Sequence, residues 1–553
     1  MPGGGELTLI AYGSQNKAIS GNPEMTYFYK VFKRHTHFSQ ESISISMDGP
    51  NEMMLDTPIR IRAKIPRSAD LLTDLTFVFN IPDLYSNSSP IGRTPAPRWI
   101  HMLGPLIIGS VGIYVGGSKI QEFTGEWIAL RAQMDLPTDQ YLKWRTMVGD
   151  VPELHSPEWG IYGKSLFYPY GQGRYPHVFT DCPTTPSPSI PTTEIRVPLP
   201  FWFSESIGKA LPLVSLQLHE VEVQITLKTL REVYRIMDNA TLPNSAKCQH
   251  EPMRYGRNMV IDPAYPISMT TPPTYTGGGL NLTLQNQYTY SQPNATDPLN
   301  VFYSAPGQAL ITQEGFIMNA HLEGNYAYLT EKEQLMFAER ELTTLVHQVQ
   351  MFNVPGITTK TKLDMDVHGL IHRMVFFGRR SDAIDIRNDY LNLSNWKYPR
   401  QAPFWPFASG TGASEGNNSG RVIPVGYGNR DILQSARLIC AGNDLFEEKP
   451  AKYFEVQVPY MTTTGSGTSG LHPGIKADDV FGPVYQIPFA IRGSDHEQPS
   501  GTLNTSRLRE FQLEVTPWPL ATDSPYTFDF TVYVESLNLV RFTNGMGGLA
   551  YAV

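Results

Sequence analysis

Three short patterns in this chain have the residue types and spacing of known chemical sites. Gly412-Ala-Ser414-Glu-Gly416 fits the nucleophile-elbow formula, which works when a strained strand-to-helix turn lifts the serine clear of the backbone. Here it lies inside Ala408–Gly420, a run of Gly, Ser, Thr and Asn where that spacing arises from composition alone. Gly465-Ser-Gly467-Thr-Ser-Gly470 fits the dinucleotide fingerprint, whose phosphate site needs a helix directly after it with its amides aimed at the ligand. The next residues are Leu471-His-Pro-Gly474, which cannot open a regular helix. His368-Gly-Leu-Ile-His372 has the spacing of two metal ligands on one helical turn. The stretch Asp366–Phe377 instead reads as a strand, and four residues of strand span about 13 Å, too far for one ion. No phosphate-cradling G-x-x-x-x-G-K-[ST] loop and no convincing carboxylate pair occur. The sequence therefore assigns no catalytic residue, no cofactor-binding residue, no cofactor and no metal ligand.

The elements around these patterns carry the stronger signal, which is period-two alternation. Ile43–Met47, Ile59–Ile65, Val221–Leu227, Phe511–Val515 and Phe528–Val534 all alternate apolar with polar residues. Alternate side chains of a strand face opposite ways, so each segment buries one face and wets the other. The class is all-β. Helical signals are few. Thr330-Glu-Lys-Glu333 has the form of a capping box, and apolar residues from Leu335 to Val349 predict a helix reaching about Phe352. A second helix is expected over Asp139–Val148, burying Tyr141, Leu142, Trp144 and Met147. Long loops are expected at Cys182–Glu194, Met269–Gly279, Ala408–Gly420 and Met461–Gly474.

Charged residues make up 17% of the 553 residues and aromatics 11%, with 46 glycines and 45 prolines, a balance that suits many strands joined by many turns. The net charge of −8 argues against direct nucleic-acid binding, which usually needs a basic face. The most basic patch is Tyr29–Phe38. Three widely spaced cysteines, Cys182, Cys248 and Cys440, give no disulfide framework or paired-cysteine zinc site, so folding in a reducing compartment is expected. The N-terminus has no signal-peptide character. The glycine-interrupted stretch Leu103–Gly117 is too short to cross a bilayer. Asn-x-Ser/Thr sequons at Asn87, Asn239, Asn281, Asn294, Asn392, Asn417 and Asn504 are coincidental without a secretory route.

The chain also hints at a duplication. Pro200-Phe201-Trp-Phe followed by His219–Ile225 parallels Pro488-Phe489-Ala-Ile followed by Arg509–Val515. This predicts two copies of one sandwich with a boundary near residue 230.

Four segments resemble the major capsid proteins of nucleocytoplasmic large DNA viruses. They are Gly3–Gly13 continuing through Gly21-Asn-Pro23 to Tyr29–Ser42; Pro198–Phe203 with Ala210–Leu213 and His219–Val223; Gln498–Arg507; and Gly545–Tyr551. They occur in the family's order and cover essentially the whole chain. The resemblance implies two consecutive eight-stranded antiparallel jelly rolls with a few short helices in long loops. The expected division is an N-terminal assembly arm over 1–40, jelly roll 1 over 41–230 and jelly roll 2 over 231–553. It further implies a homotrimeric, pseudo-hexagonal capsomer of an icosahedral shell, contacting neighbouring capsomers and minor capsid proteins. The arm is expected on the inner side, within reach of the internal virion membrane. A structural, non-enzymatic role in the virion is implied, with assembly expected in the host cytoplasm. The alternatives are a paralogous minor capsid or spike subunit and, from another class, a carbohydrate-active β-sandwich protein.

Overall fold

The computed structural model describes residues 3–85, 95–157, 188–238, 315–395, 431–463, 482–520 and 526–551, apart from isolated positions, together with a short strand pair at 260–261 and 288–289. The nucleophile-elbow and dinucleotide patterns, Cys182, Cys248 and five of the sequons fall outside the described residues, as do most of the predicted long loops.

Eight main strands build the first sandwich: β1 (Ser39–Ser46), β2 (Ile59–Lys64), β3 (Leu71–Ile81), β4 (Ile108–Val115), β5 (Ser118–Thr124), β6 (Thr193–Pro198), β7 (Val221–Leu227) and β8 (His321–Tyr328). They pair antiparallel as β1-β8-β3-β6 and β2-β7-β4-β5. Eight more build the second: β9 (Leu342–Ile357), β10 (Thr361–Met365), β11 (Leu370–Arg380), β12 (Leu433–Cys440), β13 (Asn443–Pro450), β14 (Tyr485–Pro488), β15 (Phe511–Pro517) and β16 (Phe528–Thr543). These pair as β9-β16-β11-β14 and β10-β15-β12-β13. The second order is the first order repeated, with short extra strands attached to two of the sheets.

The alternating segments become strands for the reason the sequence suggests. In β7, Val221, Val223, Ile225 and Leu227 are buried while the residues between them are partly exposed. Val223 sits opposite Ala63 of β2 and Ile113 of β4, so its face is covered from both sides. β7 and β15, the two alternating segments of the sequence duplication, occupy the same place in their sandwiches.

Three expectations are corrected. The first sandwich does not end near residue 230. The edge strand β1 and the central strand β3 are joined only through β8, more than ninety residues later in the chain. The second correction concerns Thr330–Phe352. A helix covers Glu331–Glu339, but Leu342–Ile357 is the long strand β9, paired along β16. Its β-branched residues, Thr343, Thr344, Val346, Val349 and Val354 among them, suit a strand, and the spacing Leu342, Leu345, Val346, Val349 fits either period. The capping box does not close either: Thr330 makes no side-chain cap, and Glu333 accepts a hydrogen bond from Thr36 at 3.0 Å. Third, the helix over Thr138–Met147 buries Tyr141 and Trp144, whereas Leu142 and Met147 are exposed.

The cores differ in how they meet. Phe528, Phe530, Val532 and Val534 of β16 point into the second sandwich. Tyr533 joins the core of the first, as do Val375 and Phe377 of β11. β11 and β16 are therefore buried on both faces, one by their own facing sheet and one by the other sandwich.

Candidate functional site

The surface where the two sandwiches meet holds a dense group of buried charged side chains. The helix α1 (Gly125–Asp135) comes directly after β5 and lies against the second sandwich. Its start is fixed by the Thr124 hydroxyl, which accepts from the Trp127 amide at 3.2 Å, as an N-cap threonine does. The same hydroxyl pairs with the Tyr533 hydroxyl at 3.0 Å. Gly125 is required here, because a Cβ would lie 1.9 Å from the Pro105 carbonyl oxygen.

From this helix, Glu126, Arg131 and Asp135 reach into the seam. Arg373 on β11, fully buried, donates through both terminal nitrogens to Asp135 (2.7 and 3.0 Å) and through Nε to Glu535 of β16 (2.7 Å). Arg379 donates to Glu126 at 2.9 Å. Arg131 donates to Glu205 at 2.7 Å and to the Pro200 carbonyl at 3.0 Å. Lys209 donates to the other oxygen of Glu205 at 2.9 Å and to the His496 carbonyl. Burial by itself would raise the Asp135 and Glu535 carboxyls, but Arg373 holds both below the usual carboxylate range. Burial likewise acts to raise Glu205, and Arg131 pulls it well below. These are charge-assisted bonds in a water-poor place, so each partner is costly to remove.

Three histidines line the same seam. Their rings are neighbours: His347 lies 4.6 Å from His496 and 5.5 Å from His372, centroid to centroid. Burial, with Arg131 beside it, pushes His496 down to about 4, against the pull of its hydrogen bond to Asp135 at 3.1 Å. His372 falls where the β11–β16 register shifts between Ile371 and Arg373, and burial lowers its pKa. His368, its sequence partner in the spacing pattern, precedes the strand and is exposed near Asp366. The two histidines of the spacing pattern thus lie in different surroundings, and His372 is gathered with histidines far away in sequence.

Among the described residues, two groups bring three metal-ligating atoms within 4.8 Å of one another: Glu205, His347 and His496, and, in the first sandwich, His101, Asp150 and His155. The seam group suits an ion poorly. Both oxygens of Glu205 already accept from cations, and Arg131, Arg373 and Lys209 supply the positive charge the carboxylates need. An open hollow on the second sandwich is lined by Leu445, Phe446, Phe489, Ile491 and Leu503 and gathers no acid–base pair.

The N-terminal segment is the opposite kind of surface. It forms short helices over Gly4–Ile10 and Ser14–Ser20, yet buries none of their residues. Leu9, Ile19, Tyr27, Phe28 and Phe32 are 80–99% exposed, beside Lys30, Lys33 and Arg34. Uncovered aromatic surface of this kind marks an interaction site. Of the sequons, Asn392 is buried and accepts from the Ser394 hydroxyl at 2.7 Å, leaving no room for a glycan. The Asn504 side chain caps a short turn by accepting from the Ser506 amide.

Sequence reasoning missed the seam. Its signal was present, in arginines placed within the otherwise apolar run of β11, but which face they serve depends on the neighbouring sandwich.

Comparison with known proteins bears on these surfaces. Residues 26–252 match the family model described as major capsid protein N-terminus, and residues 333–548 match that of large eukaryotic DNA virus major capsid protein. The chain is similar to the major capsid protein of Phaeocystis pouchetii virus, 25% identical over 99% of each chain. It is also similar to probable capsid protein 4 of Acanthamoeba polyphaga mimivirus, 23% identical over 99% of each. Its fold resembles PBCV-1 VP54, in the crystal structure fitted into a cryo-EM reconstruction of the virophage Sputnik. That likeness has a TM-score of 0.57 at 19% identity, over 96% of this chain and 100% of that one.

Proposed function

The chain belongs to the major capsid proteins of large eukaryotic DNA viruses, and from that premise we propose that three copies close into a pseudo-hexagonal capsomer. It is a structural protein of the virion capsid, built on the double jelly roll. The observation that carries the trimer is the repeated strand order joined by a buried, charge-locked seam. One chain then presents two like uprights held at a fixed angle, and three chains give six. A three-fold ring uses heterologous contacts that close on themselves, and a permanent one buries more than roughly 2,000 Å² per contact.

In this reading, residues 1–38 are the assembly arm, 39–330 the first jelly roll and the remainder the second. The arm's exposed aromatics and lysines meet neighbouring capsomers, minor capsid proteins or the inner membrane surface. The protein catalyses nothing and, at a net charge of −8, leaves the genome to other proteins.

Light scattering on the purified protein tests the trimer: the mass of three chains is expected at every accessible concentration, and a stable monomer would refute it. Deleting residues 1–38 is expected to spare the trimer and abolish shells. Shells of normal number and size from the deleted chain would remove the arm from assembly.

A further inference from the structure

We propose that the β13–β14 flank of the second sandwich docks on the β1 flank of the first sandwich in a second copy of this chain, repeating between chains the joint that each chain makes within itself. The proposal rests on the trimer reading and says which faces close it.

Each sandwich has two flanks. One is edged by β1 and β2, or by β9 and β10 in the second sandwich; the other is edged by β5 and β6, or by β13 and β14. Within the chain, the β5 side of the first sandwich meets the β9 side of the second. Gln121 of β5 donates to the His347 carbonyl at 2.6 Å, and Gln348 of β9 donates to the Ile120 carbonyl at 3.1 Å. That joint uses one flank of each sandwich. The β13–β14 and β1–β2 flanks are left over, and each is the counterpart of a surface that is already paired. Joining the left-over flanks of different copies is a heterologous contact, the kind that closes into a ring.

The β13–β14 flank has the marks of a face without its cover. Just as α1 follows β5 directly, helical turns over Tyr453–Gln457 and Val458–Thr462 follow β13. Almost the whole of α1 is buried. Its counterpart buries only Phe454, Glu455, Val458 and Pro459, and it leaves Val456, Met461 and Tyr460 exposed, Tyr460 to 87%. An aromatic pair shows the same contrast. Phe123 and Phe201, with ring centroids 5.8 Å apart, are buried in the first sandwich. Phe446 and Phe489, 6.3 Å apart, instead line an open hollow of about 430 Å³ with Leu445 and Ile491. Ile491 is 77% exposed. The Gly493 amide donates to the Thr462 carbonyl at 2.9 Å, which joins the hollow and the helical turns into one patch. Exposed apolar surface with tyrosine and methionine in it has the composition of an interface core.

The β1 flank offers a matching surface. β1 is the end strand of its sheet, as β9 is of its own. Beyond β1 the chain pairs Glu52–Met54 with Gly315–Ile317, and Met54 and Ile317 stand exposed there. This pair lies at the end of the first sandwich where β1 finishes and β2 begins. The helical turns after β13 lie at the corresponding end of the second, beside the start of β10. Apolar side chains therefore face apolar side chains when the two flanks meet at one level.

Tyr460→Glu combined with Ile491→Glu, at two side chains that the fold leaves in solvent, is expected to shift the full-length protein from the mass of three chains to that of one in light scattering. Ile317→Glu is expected to do the same from the other side, and Phe28→Glu in the equally exposed arm to leave the trimer intact. A natural chain that runs as a monomer would overturn the trimer reading and this proposal together. A natural trimer that survives either flank change, or that is lost on Phe28→Glu, would overturn the proposal alone. With benzoylphenylalanine in place of Tyr460, the otherwise natural chain reads the contact even where a glutamate variant fails to fold. Irradiation is expected to give a product of two chain masses that joins position 460 to residues 39–54 or 315–328. Any other joined segment, or no two-chain product, would overturn the proposal.

Discussion

The two sandwiches repeat one strand order but use their sheets differently. In the first, β2 is buried and exposed by turns along its length, with Arg60, Arg62 and Lys64 in solvent. In the second, β11 and β16 are buried on both faces. The extra burial lies where β11 and β16 meet α1 of the first sandwich, while β9 lies along β5. A duplicated fold has thus become asymmetric by giving one copy a second face to bury. That face recognises its partner through paired charges as well as apolar contact. Buried ion pairs add little net stability over apolar ones, but breaking one is costly. The physical reading is that they fix the angle between the sandwiches.

The largest expected effect is at Arg373. Arg373→Ala leaves Asp135 and Glu535 buried without their cation and is expected to cost about 3–5 kcal/mol by chemical denaturation. The comparison residue is Arg62, whose pair with Glu222 is open to solvent at 3.8 Å; Arg62→Ala should change stability by less than about 0.5 kcal/mol. Similar costs at both positions would erase the contrast between the sheets.

Acid should weaken the seam next. His496 titrates near 4 in the fold against an ordinary 6.5, so the unfolded chain binds more protons between those values. Stability is therefore expected to fall as pH drops from about 6.5 to about 4. The lowered carboxyls of Asp135, Glu205 and Glu535 lose their contribution as pH falls further, which is the same direction. Melting curves of His496→Gln should show a flatter slope across the upper window; an unchanged slope would place the effect elsewhere.

Gly125→Ala is expected to push α1 off residues 105–108 at about 1–3 kcal/mol. Gly208→Ala, which has only the Ser206 hydroxyl within 4 Å of its Cβ position, should be silent in the same assay. Equal effects would mean that the close approach at Gly125 is relieved without cost. Tyr533→Phe, which removes the hydroxyl paired with Thr124, is the smallest of the set at about 0.5–1.5 kcal/mol. No change in denaturant midpoint would show that water replaces that bond freely.

Much of the framework was legible in the residues. β2, β7, β15 and the first half of β16 announce themselves because apolar and polar residues alternate along them, even though both faces of β16 end up buried. β9 was hidden, since its apolar spacing fits a helix and only its long pairing with β16 decides the matter. β8 was harder still. His321-Leu-Glu-Gly-Asn-Tyr-Ala-Tyr328 has a glycine and weak alternation, and the stretch between it and β7 suggests that the first sandwich is already complete. The seam could not be read from local pattern, because Arg373 is a surface residue of its own sandwich until the other covers it. The histidine cluster was equally silent: Asp150 and His155 lie about fifty residues beyond His101, and nothing in their local sequence joins them.

The late arrival of β8 has a consequence for biosynthesis. While a ribosome is still extending the chain beyond β7, β1 has no neighbour and β3 presents a bare flank, since both hydrogen-bond to β8 in the finished sheet. Residues 228–320 must be translated first, which at about 5–20 residues per second takes on the order of five to twenty seconds. Unpaired strand edges invite pairing with other chains. Nascent subunits made side by side on one message are therefore at their most adhesive during that interval, before any capsid contact is available to them.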